Sequence, residues 1–223
     1  MKLPIVLVNF KSFSESTGEN AVKLSRICES VSNEYKIDIG IAPSAVDIYQ
    51  ISQKVKISLF SQNFDPVDAG QFTGHVTAQA VKKAGAIGSF INHSEKRLTP
   101  ESVGSCIQLA KKYKLISVVF ASTPEEAEQI AKLNPDFIAI EPPGLIGTGI
   151  SVSTKRPGVI LKTVKILKRV NPRTRVLTGA GITTGEDVRR AIDLGTCGVV
   201  VASGVVKAEN PRKILAEFAK AIR

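Results

Sequence analysis

Phe137-Ile138-Ala139-Ile140-Glu141-Pro142-Pro143-Gly144-Leu145-Ile146-Gly147-Thr148-Gly149-Ile150-Ser151-Val152 is an apolar run of strand length that ends at one carboxylate and passes into a nearly uncharged loop. A parallel α/β protein concentrates its chemistry at such a place, because strand ends are rigid and the loops beyond them build the site. Gly147 and Gly149 leave backbone N–H groups free to approach an anion, and Pro142-Pro143 would stiffen one hinge of a moving lid. Taken alone, the stretch reads more simply as a surface turn after a buried strand, with Glu141 as a polar cap. The rest of the chain decides the matter.

Outward from this stretch the chain alternates. Continuous Val/Ile/Leu runs mark strands at Ile5–Asn9, Ile37–Ala42, Ile57–Gln62, Ala86–Asn92, Leu115–Ala121, Phe137–Glu141, Arg175–Gly179 and Gly198–Ala202. Runs without polar alternation are expected of parallel strands covered on both faces. Between them, Ala21, Leu24, Ile27, Cys28 and Val31 recur at helical spacing, as do Val76, Ala80, Val81 and Ala84. Thr99-Pro100, Thr123-Pro124 and Asn210-Pro211 each pair an N-cap residue with proline at the first helical position. Thr123-x-x-Glu126 and Thr184-x-x-Asp187 fit the capping box. Eight strands, each followed by helix or turn and with no linker between, predict one α/β domain over residues 1–223, a single (β/α)8 barrel. An open doubly wound sheet is the alternative, weakened by the lack of Gly-x-Gly-x-x-Gly after the first strand.

The totals exclude several classes. With 223 residues, 43% hydrophobic and 22% charged, the chain has the make-up of an ordinary globular protein. The apolar run at its start is too short for a signal peptide or a membrane span, and a cytoplasmic location is expected. Cys28, Cys106 and Cys197 are odd in number and lack metal spacing, which predicts reduced core thiols and no metal site. The formal charge of +10 is spread over helix faces and aromatics are only 5%. That pattern suits a solvated exterior that attracts a small anion better than a nucleic-acid surface.

In a barrel the loops after the strands share one face. Collected there are Asn9 and Lys11 after strand one, Gln62-Asn63 after strand three, and Asn92-His93-Ser94-Glu95 after strand four. Glu141 follows strand six, Gly179-Ala180-Gly181 strand seven and Ala202-Ser203-Gly204 strand eight. The last two are small-residue turns running into helices, suited to holding phosphate on backbone N–H groups. Singly, Lys11 reads as a solvated lysine, His93 as a structural histidine and the glycines as tight turns. Together they supply a base, a neutral acid, a cation and two anion-binding turns at one end.

Val8-Asn9-Phe10-Lys11, Thr73-Gly74-His75, Asn92-His93-Ser94-Glu95-Lys96-Arg97, Glu141-Pro142-Pro143-Gly144-Leu145-Ile146-Gly147-Thr148-Gly149 and Thr178-Gly179-Ala180-Gly181 occur in one order along the chain. With these motifs the sequence resembles the triosephosphate isomerase family over essentially its whole length, and most of all its compact archaeal branch. The resemblance implies a TIM barrel that interconverts dihydroxyacetone phosphate and D-glyceraldehyde 3-phosphate in glycolysis and gluconeogenesis, with no cofactor. It implies Glu141 as the base and His93 as the electrophile, with Lys11 offsetting negative charge. Asn9 would orient Lys11 and substrate, and Glu95 would stand behind that cluster.

The Gly144–Gly149 loop would close over substrate, with Ile146 and Gly147 beside the phosphate. The residues of the strand-seven and strand-eight turns would complete the phosphate site. His93 would be kept neutral by the helical turn Ser94-Glu95-Lys96, pKa tuning for which this family is itself an established illustration. A homodimer or homotetramer is implied, with Gln71-Phe72-Thr73-Gly74 inserting beside the partner's site.

The chain departs from the bacterial and eukaryotic pattern at His75, Gly181, Ala202 and Ser203. Phosphate is thereby left mainly to backbone donors, with Ser203 as a candidate extra hydroxyl. Two rivals remain on residues alone: another phosphate-binding barrel enzyme, such as a sugar-phosphate epimerase or an aldolase, and a non-catalytic phosphate-sensing protein. An aldolase would want a Schiff-base lysine inside a strand, and the predicted strands hold none.

Overall fold

The computed structural model describes residues 2–145 and 151–222. The strands are β1 (Ile5–Asn9), β2 (Asp38–Ala42), β3 (Ser58–Ser61), β4 (Gly88–Ile91), β5 (Ile116–Ala121), β6 (Phe137–Ile140), β7 (Arg175–Thr178) and β8 (Gly198–Val201). Every neighbouring pair is parallel, and β8 pairs with β1 (Val6 opposite Val199), so the sheet closes into an eight-stranded barrel. The open sheet is thereby excluded. The expected strands are all present, each trimmed by up to two residues at an end, where the chain turns into its loop.

The helices are α1 (Glu19–Tyr35), α2 (Ile48–Ser52), α3 (Ala78–Lys83), α4 (Pro100–Lys112), α5 (Pro124–Ala131), α6 (Val152–Lys155), α7 (Pro157–Val170), α8 (Gly185–Asp193), α9 (Ser203–Val206) and α10 (Pro211–Ile222). Their starts follow the sequence signals. Thr99 and Thr123 accept from the N–H three residues on, Asn210 accepts from Lys213 N, and Thr184 with Asp187 makes the complete capping box. Two expectations fail. Glu126 does not return to Thr123, because its carboxylate bonds Ser122 N, Asn92 and Arg97 instead. The helical pattern assigned from Val76 begins only at Ala78, because Val76 is tied in both directions to Asp65 across the base of a loop.

Each strand is buried on both faces. Outward residues such as Val6, Val8, Ile39, Ile41 and Val199 pack with Cys28, Leu215 and Phe218 of the helical layer. Ile91, Val119, Ile138 and Val176 do the same against α4, α5 and α7. Inward residues fill the barrel: Ile5, Leu7, Phe60, Phe90, Val118, Phe120, Phe137, Ala139, Leu177 and Val200. Room for Phe60 comes from two glycines. A Cβ on Gly40 would lie 3.0 Å from Phe60 Cε2, and one on Gly88 2.5 Å from Phe60 Cε1. Phe60, Phe90 and Phe120 then stack upward, with centroids 6.3 and 5.1 Å apart, and the His93 ring sits edge-on to Phe120 at 4.7 Å. The barrel filling is thus the floor of the site above it.

All three cysteines are free thiols. Cys28 and Cys106 are buried, and burial pushes both thiols up to about 12. Cys197, expected in the core, is half-buried in the turn before β8. Among the described residues no helix is long and apolar enough to cross a membrane.

Candidate active site

Asn9 closes β1 and is buried, and two residues later Lys11 turns the chain with φ 51, a left-handed conformation uncommon for lysine. Two hydrogen bonds hold it, and a third anchors one of its partners. Asn9 Oδ1 accepts from Lys11 N at 3.0 Å, and Gln62 Nε2 donates to Lys11 O at 2.8 Å and to Ala42 O at 2.9 Å. Such backbone strain persists only where the surroundings over-determine it. Its effect is to aim the ammonium across the mouth, where Lys11 Nζ meets Glu95 Oε1 at 2.7 Å.

His93 stands beyond β4, nine-tenths buried. Glu95 N donates to His93 Nδ1 at 3.2 Å. A nitrogen that accepts carries no proton, so the neutral ring holds its proton on Nε2, an assignment made from the bonding pattern. Nε2 lies 3.8 Å from Glu141 Oε2, and its 3.5 Å approach to Asn9 Nδ2 is then a contact between two donors rather than a hydrogen bond. Burial pushes the imidazole down to about 4; Glu95 opposes this and Lys11 adds to it. Burial is thus one cause of neutrality, beside the expected turn, whose Glu95 N–H donates to Nδ1. Ser94-Glu95-Lys96 is a hydrogen-bonded turn closed by Lys96 N on His93 O, and the next helix starts only at Pro100.

Glu141 follows β6 directly, its N–H still bonded to Ala121 O at 2.9 Å. Only 7% exposed, its carboxyl is pushed up to about 7 by burial, with Glu95 adding to the rise and Lys11 and the Ala180 N–H opposing it. Gly179, expected in an anion-binding turn, has another part. A Cβ there would collide with the Glu141 carboxylate, so the missing side chain is the seat of that acid.

Asn9, Lys11, His93 and Glu141 share one cavity with Ala180, Gly181, Ala202, Ser203 and Gly204. Ala180 and Gly181 both have left-handed backbone, φ 66 and 72. The turns after β7 and β8 lie close together, since a Cβ on Gly204 would be 3.3 Å from Ile182 O. Glu95 stands outside this cavity, in a neighbouring one that Gln62, Asn63 and Lys96 also line. Ile146 and Gly147 lie outside the described residues.

The sequence reading missed Ile182, Thr183, Val200 and Val201, which also line the main cavity. Val200 carried a signal, being an inward strand residue near a strand end; the other three carried none. Among the described residues no group of three or more His, Cys, Asp or Glu could hold a metal ion.

Physically, this is a site for moving a proton. A carboxyl with a pKa near neutrality faces a neutral N–H donor, with a fixed cation nearby and a floor of apolar rings. Residues 4–221 match the family model described as Triosephosphate isomerase. The triosephosphate isomerase of Methanothermus fervidus is 47% identical over 98% of both chains, and that of Methanosarcina barkeri 43% identical over the whole of both. The crystal structure of triosephosphate isomerase from Bartonella henselae matches with a TM-score of 0.74 at 19% identity, covering 98% of this chain and 97% of that one, a likeness of fold alone. On a match that runs from β1 to α10 and on identities of this size, the chain belongs to the triosephosphate isomerase family.

Proposed function

We propose that the chain is an aldose–ketose isomerase that interconverts dihydroxyacetone phosphate and D-glyceraldehyde 3-phosphate, working as one barrel domain over residues 1–223. The observation that carries this reading is the facing pair of a buried Glu141 carboxyl pushed up to about 7 and a neutral His93 with Nε2 3.8 Å away.

A proton beside a carbonyl is too weakly acidic for water to remove quickly, so the enediolate must be stabilised while a base is held against the carbon. Glu141 takes the proton from one carbon and returns it to its neighbour. His93 Nε2–H donates to the oxygens, giving its proton to the former carbonyl oxygen and taking the hydroxyl proton from its neighbour, so that the O–H moves as the C–H does and the ring ends neutral. Lys11, aimed by its strained backbone, offsets enediolate and phosphate charge, while Asn9 orients both Lys11 and the substrate. Glu95 holds the Lys11 ammonium and, through its N–H, the His93 tautomer. Phosphate is received by backbone donors of the Gly179–Gly181 and Ala202–Gly204 turns, with Gly147 and Ile146 completing the enclosure when the Gly144–Gly149 loop closes. Every step uses only groups of this chain.

The test follows the carbon-bound proton. Dihydroxyacetone phosphate incubated with enzyme in D₂O should acquire deuterium stereospecifically at C1 of recovered ketone and at C2 of the aldehyde. An aldolase exchanges the C1 proton without producing aldehyde from the ketone alone, and a binding protein does neither. Correctly folded protein that gives no conversion would sink the assignment.

The chain works in the cytoplasm as at least a homodimer. Gly70–His75 is an exposed loop with Phe72 at its tip, 43% exposed, in keeping with insertion beside a second copy's Lys11 and His93. Thr73→Arg should give smaller species in sedimentation with activity falling alongside; wild type running as a fully active monomer would remove this part.

A further inference from the structure

The segment that carries His93 is held by a side chain with no part in the proposed chemistry. Asn92 is the first residue beyond β4, 2% exposed, with φ 62. Glycine would satisfy that backbone at no steric cost, so conformation alone does not call for a carboxamide here. What the carboxamide adds is a set of bonds reaching three other parts of the chain. Its Nδ2 donates to Phe120 O at the end of β5 (3.0 Å) and to Glu126 Oε1 in the first turn of α5 (3.2 Å). Its Oδ1 accepts from Leu98 N at 3.0 Å, joining the two ends of the 92–98 segment. Arg97 closes the ring from the other side, donating to Asn92 O at 3.3 Å and pairing with Glu126. Glu126 is itself anchored by Ser122 N at 2.7 Å.

Phe120 links this network to the chemistry. Asn92 grips its carbonyl, and its ring is the surface that His93 packs against, 4.7 Å away and tilted 74°. The bond that ties the 92–98 segment to β5 therefore fixes the imidazole relative to its apolar floor. Inside the segment, Lys96 N on His93 O and Glu95 N on His93 Nδ1 complete the hold. We infer that Asn92 is a positioning residue of this active site, its carboxamide locking the 92–98 segment against Phe120 and Glu126 so that the Nε2–H of His93 points into the cavity. The inference rests on the proposed isomerase chemistry, because that direction matters only if the N–H meets substrate.

Two variants test it. Asn92→Gly keeps the left-handed backbone and removes every side-chain bond. Asn92→Asp keeps the shape and the acceptor for Leu98 N, and sets a carboxylate oxygen against Phe120 O and Glu126 where the donated bonds stood. Wild-type conversion of dihydroxyacetone phosphate is measured first, since its absence overturns the functional reading and not this one. With wild type active, each variant should lower kcat about tenfold while KM stays within about twofold, a displacement well short of the 1 Å that costs roughly 10²-fold. Nitrogen-15 spectra should report the same thing independently, because the chain has only two histidines. The His93 ring signals should shift or broaden, and those of His75 should not. Should Asn92→Gly fail to fold, the isosteric variant decides. A folded variant with lowered thermal stability, wild-type kcat and unmoved His93 signals would make Asn92 a merely structural residue and overturn the inference.

Discussion

The two walls of the barrel mouth are built differently. On one stand Asn9, Lys11, His93 and Glu141, each acting through a charged or polar side chain, with Glu95 bonded to Lys11 behind them. On the other lie the turns after β7 and β8, where Ala180, Gly181, Ala202 and Gly204 contribute shape and backbone. The difference follows from what the proposed function asks of each wall. Proton transfer needs tuned pKa values, and only side chains can be tuned by burial. Holding a phosphate needs several N–H groups at close range, and side chains on that wall would obstruct it. A wall of side chains should fail sharply to single substitutions, and a wall of backbone should be nearly indifferent to loss of a side-chain group yet intolerant of gaining one.

The largest expected effect is on the side-chain wall. Glu141→Gln should lower kcat by roughly 10³-fold with substrate binding retained, in line with the range for a lost general base. Glu141→Asp, which retracts the carboxylate by about 1 Å, should cost roughly 10²-fold. A coupled assay measures both, and an aspartate variant within twofold of wild type would mean that Glu141 is not the base.

Next comes a gain on the backbone wall. Gly179→Ala should approach the aspartate variant, about 10²-fold in kcat, because the new methyl group displaces the Glu141 carboxylate. Wild-type activity there would show that the acid is seated elsewhere when the enzyme works.

The tuned pair also makes opposite contributions to stability. For Glu141 the folded pKa of about 7 lies above the ordinary value of 4.5, so the folded state binds the extra proton and stability is lost as pH rises from 4.5 through 7. For His93 the folded pKa of about 4 lies below 6.5, so stability is lost as pH falls from 6.5 through 4. In chemical denaturation, Glu141→Gln should therefore gain on wild type by about 3 kcal/mol between pH 4.5 and pH 8.5. A constant difference across that range would contradict the burial of an ionising carboxylate.

The smallest effect should be Ser203→Ala, with KM for dihydroxyacetone phosphate changed by less than about threefold, since the backbone donors proposed to hold the phosphate are left in place. A tenfold rise would move part of the phosphate site from backbone to side chain and blur the contrast between the walls.

This contrast also explains what could be read from the sequence. The eight strands were legible because runs such as Val6-Leu7-Val8 and Val118-Val119-Phe120 have no polar alternation, and that by itself signals burial on two faces. The reactive side chains were legible because their types announce chemistry and they fall at strand ends. Roles fixed by neighbours far along the chain were not. Gln62 was visible at the end of strand three, but nothing local says that it reaches Lys11 and Ala42. Glu126 fitted a capping box, and only the approach of Asn92 and Arg97 shows why it abandons that part. Gly179 looked like one more member of a phosphate turn, and the reason for its missing side chain sits on another strand.

The packing around Phe60 carries a consequence for the history of the chain. Gly40 and Gly88 both face the Phe60 ring, and each is closed by a second neighbour as well: a Cβ on Gly40 would lie 2.6 Å from Leu7 Cδ2, and one on Gly88 2.6 Å from Ile116 O. If position 60 ever drifted to alanine or valine, position 88 would still be barred by the Ile116 carbonyl, and position 40 would open only if Leu7 also gave way. If either glycine acquired a methyl group first, the ring would have to leave the barrel axis. Among descendants of a common ancestor positions 7, 40 and 60 should therefore change as a linked set while position 88 stays glycine, a pattern that owes nothing to catalysis.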